Sequence, residues 1–170
     1  MTEDEESWGR EFVAKATLGK STKGCIVMHL GSDDTGKRWP GNSAKNILSL
    51  AVGRGYHCFL FDTMGTIEGR YQDGVTLIVD PGIGRVMAVI LACDILLCVD
   101  SFTFKIGEYF KKKVIPLFGF VPDYAIANKS MYQKSIVLSP EDIFFAIDNW
   151  VETPVRSGGT IFDDIKTFEI

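Results

Sequence analysis

Five short, almost uninterrupted apolar runs constrain the fold of this chain more than any other feature: 24–30 (GCIVMHL), 56–62 (YHCFLFD), 75–80 (VTLIVD), 95–100 (ILLCVD) and 114–119 (VIPLFG). A strand with one wet face alternates apolar and polar residues, so strands apolar at nearly every position need cover on both faces, as parallel sheets have. The segments between them carry helical signals. Ser43 can cap a helix with Ile47, Leu48, Leu50 and Ala51 on one face, ending near Gly53 or Gly55. Residues 85–93 (RVMAVILAC) are apolar nearly all round, predicting a helix buried on more than one side. Another helix is expected through Ile106, Tyr109 and Phe110 into lysines 111–113, and a last one from Pro140 to about residue 152, with Glu141 and Asp142 in its first turn. Alternating strands and helices predict an α/β fold: a single Rossmann-like, doubly wound, mainly parallel sheet of about six strands, the sixth at 135–138. Right-handed crossovers then give the strand order 3-2-1-4-5-6, with Asp62, Asp80 and Asp100 at one edge.

At 170 residues the chain is long enough for one such domain. Residues 1–20 read as an acidic arm, free to fray, with an amphipathic piece at 8–16; residues 21–155 form the folded unit, and 156–170 a turn and short tail. A hydrophobic fraction of 46% with 12% aromatics excludes intrinsic disorder. A net charge of −4 argues against nucleic-acid binding through a broad basic surface. No apolar run approaches the roughly 18 residues of a membrane span, and the acidic start MTEDEESWGR is unlike a secretory signal. The expected location is therefore cytoplasmic. Cys25, Cys58, Cys93 and Cys98 each lie inside an apolar run, without the spacing of a metal site, so buried reduced thiols and no bound metal are expected. His29 and His57 also fall in strand-like stretches.

In such sheets ligands bind at the carboxyl ends of the strands, which points to the loops after residues 30, 62, 80 and 100. The first loop, GSDDTGKRWPG, fits the start of a phosphate-binding G-x-x-x-x-G-K from Gly31 to Lys37. Arg38, however, replaces the hydroxyl residue that would hold magnesium, Trp39–Pro40 opposes a helix starting at the lysine, and Asp33 and Asp34 would bring negative charge to the cradle. A nucleotide triphosphatase is not expected. The third loop, DPGIGRV, has Met87 where a dinucleotide motif needs its third glycine, although the helix opening near Arg85 offers N–H groups to an anion. In the fourth, Ser101 or Thr103 can cap the helix that follows Asp100.

The order K-x-W-P after the first strand, an apolar helix ending in Cys93–Asp94, then ILLCVDS and VIPLFG, resembles the C-terminal half of the heptosyltransferases, glycosyltransferase family 9, whose fold is GT-B. The resemblance runs from about residue 24 to 137 and is gapless over 77–101. It implies a domain over 21–155 that binds a nucleotide diphosphate sugar. By that resemblance Lys37, with Arg38 beside it, contacts the diphosphate; Asp100 and Ser101 open a phosphate-binding helix that also carries Thr103; Glu68 holds the ribose; and residues 77–81 flank the base. Lys105 stands where the family has histidine, and Phe102 where it has glycine. The family's acceptor site and catalytic base belong to an N-terminal domain, for which 170 residues leave no room, so no catalytic residue is assigned and no further cofactor is expected.

Three functions follow: a donor-binding half of a glycosyltransferase completed by a partner subunit or dimer mate; a non-catalytic nucleotide or nucleotide-sugar-binding module; or a degenerate GT-B half kept for interaction, with Phe102 filling the old site. A homodimer or hetero-partner is expected because Phe102, Phe104, Phe118, Phe120 and Tyr124 fall beside the strand ends that would face a cleft. Lys37 is expected in an exposed loop.

Overall fold

The computed structural model describes residues 1–33, 37–39, 41–61, 73–79, 81–99, 101–117 and 143–144. Its described elements are, in order, α1 (Glu3–Thr17), β1 (Gly24–His29), α2 (Gly41–Gly53), β2 (Tyr56–Phe61), β3 (Val75–Ile78), α3 (Ile83–Ala92), β4 (Ile95–Val99), α4 (Phe102–Tyr109) and β5 (Lys113–Leu117), so strands and helices alternate except between β2 and β3. The described strands form one sheet in the order β3-β2-β1-β4-β5 with every pairing parallel. This is the expected order for strands one to five. The expected sixth strand and the helix from Pro140 to 152 lie almost wholly outside the described residues; Ile143 and Phe144 there are helical and buried.

Period-two geometry sends alternate residues of each run to opposite faces, and both faces are covered. Ile26, Met28, Leu60, Leu97, Val99 and Ile115 meet Ala44, Ile47, Leu48 and Ala51 of α2, together with Phe144. On the other face, Val27, Phe59, Phe61, Leu96 and Cys98 meet Val86, Val89 and Ile90 of α3, Val13 of α1 and Phe104 of α4. Full burial of β4 follows directly from this two-sided cover. Asp94 braces the start of β1, its Oδ2 accepting from the Cys25 N–H at 2.7 Å. Gly24 leaves room for that carboxylate, since a Cβ there would lie 2.8 Å from the same oxygen.

Three local readings are corrected. The segment read as a fraying acidic arm is a helix with a reciprocal capping box between Thr2 and Glu5, and acidic Glu3, Asp4, Glu5 and Glu6 fill its first turn, where the helix dipole favours them. Trp8, Phe12 and Ala16 pack against the α3 face of the core beside buried Val13. Helix α2 starts at Gly41, so Ser43 is its third residue rather than its cap. Helix α4 stops at Tyr109 because Lys111 takes a left-handed φ of 52°, and Lys113 belongs to β5 instead of the helix.

Candidate functional site

The strand order reverses between β1 and β4: the chain leaves β1 toward β2 and β3 on one side and places β4 and β5 on the other. The loops after these two strands therefore diverge, leaving a crevice at their carboxyl ends, the place where open α/β sheets bind ligands. His29, the last residue of β1, stands opposite Cys98 of β4 and Phe61 of β2.

That register brings His29 against the start of α4. Its Nδ1 lies 3.1 Å from Ser101 Oγ and 2.9 Å from Thr103 Oγ1, and the two hydroxyls are 2.8 Å apart. Thr103 is fully buried and His29 nearly so, whereas Ser101 is only half-buried and forms the outer corner of the cluster. Phe61 and Phe102 meet the imidazole edge-on, at centroid distances of 6.4 and 5.6 Å. Ser101 holds the N-cap position of α4, as anticipated, yet its side chain makes no cap hydrogen bond; only its carbonyl engages the first turn, accepting from Phe104 N–H. The hydroxyl turns instead to His29 and Thr103. Among the described residues, no acidic side chain lies in the first turn of this helix.

Across the crevice, the loop after β1 folds back onto its own strand. Trp39 N–H donates to the Leu30 carbonyl at 3.1 Å, and Arg38 Nε donates to the Ser32 carbonyl at 2.6 Å. The Trp39 ring rests against the α2 side of the core. Arg38 thus spends one donor bracing the loop. Lys37 is half-buried, not the exposed residue expected. Lys105 lies further along α4 and is exposed, donating to Glu108 at 2.9 Å. Phe102 is exposed and Phe104 is core, so of the two only Phe102 meets the expectation of an aromatic at the cleft. Glu68, Asp100, Asp62, Asp80, Phe118, Phe120 and Tyr124 lie outside the described residues. His29 is the residue that sequence reasoning missed as part of the site. Its one signal was position, as the last residue of the first strand, next to a candidate ligand loop.

The four cysteines are free and buried. Desolvation, reinforced by the charge of Cys25, pushes the Cys58 thiol up to about 12, and burial raises Cys25 and Cys93 in the same direction. Among the described residues no group of three or more His, Cys, Asp or Glu side chains converges as a metal site. No described helix is long and apolar enough to cross a membrane.

A parallel sheet covered on both faces, with a switch point between β1 and β4, defines a Rossmann-like half of the GT-B type. The comparisons agree. The fold matches the E. coli ADP-heptose LPS heptosyltransferase II at a TM-score of 0.63 and 16% identity, over 87% of this chain and 51% of that one. It matches a family 9 glycosyltransferase from Veillonella parvula at 0.67 and 17%, over 87% and 51%. E. coli heptosyltransferase WaaC, solved with ADP-2-deoxy-2-fluoro heptose, matches at 0.56 and 14%, over 76% and 43%. The chain spans about half the length of these structures. No protein-family model matches it, and neither does any curated protein.

Proposed function

We propose that the β1/β4 edge binds the diphosphate of a nucleotide sugar and that the chain serves as the donor-binding half of a glycosyltransferase-like enzyme. The observation that carries this reading is the hydroxyl pair of Ser101 and Thr103 at the start of α4, on the β4 side of the switch point from which the loop of Lys37 also leaves the sheet. Breaking the sugar–phosphate bond leaves negative charge on the diphosphate, and fixed N–H donors with a lysine cation stabilise that charge where it develops. In this reading Lys37 and Ser101 contact phosphate oxygens, Asp100 opens the same helix, Glu68 holds the ribose, and Arg38 keeps the lysine loop in place. The acceptor and the base that activates it come from a second unit facing this edge. The cytoplasm is the compartment in which four reduced thiols and such a donor are compatible.

One observation favours a second reading, binding or interaction without transfer. Phe102, where the resembled family has glycine, is 49% exposed with its ring beside His29, which narrows the approach of a phosphate to the helix backbone. A thermal-shift and calorimetry series with ADP, UDP, GDP and their hexose conjugates separates the two. A ligand at one hundred times its Kd adds about 2.7 kcal/mol of stability, so binding of a nucleotide sugar supports the donor-site reading. The absence of a shift with every nucleotide supports the interaction reading.

A further inference from the structure

We propose that the amino-terminal edge of the sheet docks on an anionic lipid bilayer, with Leu18 and Tyr109 entering the headgroup layer between Lys15, Lys20, Lys23 and Lys111. The donor-binding residues belong to the opposite edge, at the carboxyl ends of the strands, so the two surfaces stand or fall separately.

Topology gathers this surface. The described strands are all parallel, so each helix that leads into a strand ends at the edge where that strand begins. Helix α1 leads into β1, α3 into β4 and α4 into β5. All three pack on one face of the sheet, through Val13, Val89 and Phe104. Helices α1 and α3 run side by side in the same direction, since Glu5 meets Gly84 and Gly9 meets Ala88. The end of α4 is tied to the end of α3 by Lys112 Nζ, which donates to the Leu91 carbonyl at 3.1 Å. Three neighbouring helices spaced about 8–10 Å apart spread their last turns over roughly 20 Å.

The side chains projecting from these ends share one character. Among the described residues, Leu18 and Tyr109 are the most exposed large hydrophobic side chains, each at 81%. Leu18 is the C-cap of α1 and Tyr109 the last residue of α4. Lysines flank both: Lys15 before Leu18, Lys20 and Lys23 after it, and Lys111 just beyond Tyr109. These four lysines are exposed, and among the described residues no carboxylate pairs with them. The acids closest in sequence are engaged elsewhere: Asp94 accepts from Cys25 N–H, and Glu108 pairs with Lys105. Glu3, Asp4, Glu5 and Glu6 fill the far end of α1. A chain with a net charge of −4 thus turns a basic, apolar-tipped edge to its surroundings.

An anionic bilayer fits both halves of this pattern. Each lysine near such a surface raises affinity about fivefold. Its methylene stem covers apolar surface while the ammonium stays wet, and tyrosine settles at the headgroup level. A nucleic acid or an acidic peptide would engage the lysines but leave Leu18 in water.

Flotation of the full chain with lipid vesicles tests the proposal. Vesicles of equal parts phosphatidylcholine and phosphatidylglycerol are expected to carry the chain, and phosphatidylcholine alone is not. Binding is expected to weaken in about 1 M salt, where the screening length falls to about 3 Å. Lys20→Gln with Lys111→Gln is expected to lower vesicle affinity about 25-fold, and Leu18→Ser with Tyr109→Ser by roughly tenfold. All four sites are exposed, and an unchanged circular dichroism melt checks the fold. Lys45→Gln removes the same charge from α2, on the other face of the sheet, and is expected to leave affinity unchanged. Failure to float with the anionic vesicles, equal flotation with both vesicle types, or a loss in either double variant no larger than in Lys45→Gln overturns the proposal. Retention on heparin or duplex DNA without flotation assigns the lysines to an anionic polymer and overturns it as well.

Discussion

Replacing Gly9 by alanine tests whether α1 is part of the fold or an arm beside it, because the two cases predict opposite signs. Gly9 is buried where α1 crosses α3. A Cβ built there would lie 2.6 Å from the Ala88 carbonyl oxygen and 2.7 Å from both the Ala88 carbonyl carbon and its Cβ. Ordinary contact begins at 3.4 Å, so the oxygen alone sits about 0.8 Å too close, and two of these three atoms are backbone that cannot rotate away. Either α1 lifts by most of an ångström or the backbone of α3 shifts. Lifting α1 loosens Trp8, Phe12, Val13 and Ala16 from the sheet-facing core. Overpacking of this kind costs about 1–3 kcal/mol. In a solvated helix, by contrast, Gly→Ala stabilises by up to about 1 kcal/mol through propensity alone. Urea denaturation followed by circular dichroism measures the difference directly. A net loss of about 1 kcal/mol is expected, the middle of the overpacking range less the propensity gain. A Gly9→Ala chain as stable as wild type, or more stable, would refute the docking of α1 on α3.

Other substitutions and conditions probe the site and the core. On the donor-binding reading, Lys37→Ala would remove a charge-assisted contact worth about 1.5–3 kcal/mol; nucleotide affinity in calorimetry should fall by roughly 10- to 100-fold, and equal affinity would reject the role proposed for Lys37. Thr103→Val leaves the volume in place but deletes the buried hydroxyl shared by His29 and Ser101, and should lower unfolding stability by about 1–3 kcal/mol, read by urea titration. The folded-state thiol of Cys58, raised to about 12 from the ordinary 9.0, stays protonated where the unfolded thiol ionises. Its stabilising contribution is therefore intact below pH 9 and is lost as pH rises from about 9 toward 12, at roughly 1 kcal/mol per pH unit. Cys93 shifts in the same direction. Alkylation by iodoacetamide at pH 8, followed by mass spectrometry, should label these thiols only after unfolding. Burial and then the charge of Lys20 lower His57, so its contribution is present above the unfolded pKa and is lost on acidification below about 6.5.

The sheet was legible because its physics is local. Strands covered on both faces become continuous apolar runs, and five of those runs sit where β1 to β5 form. The order followed from crossover handedness acting on a chain of parallel strands. Helix ends were less legible, since they depend on single backbone conformations. Nothing in the apolar pattern shows that Lys111 turns left-handed and releases Lys113 into β5. Helix α1 was under-read for a different reason. Four consecutive acidic residues look solvated when met in sequence, although the Thr2 and Glu5 pair already spelled a capping box and Trp8, Phe12, Val13 and Ala16 already shared a face. The charges lie where the helix dipole stabilises them, and the apolar stripe behind them carries the docking.

The site divides along the same line. Lys37, Arg38, Ser101 and Thr103 were singled out because each lies in a loop or helix start that follows a strand, a position any sequence with this pattern reveals. His29 was not, because its role depends on partners 72 and 74 residues away. Only the pairing of β1 with β4, which sets His29 opposite Cys98, delivers the imidazole to the first turn of α4. A shift of that register by one residue would turn His29 to the α2 face and leave Thr103 a buried hydroxyl without its ring partner. The cluster therefore favours the observed register as much as it depends on it.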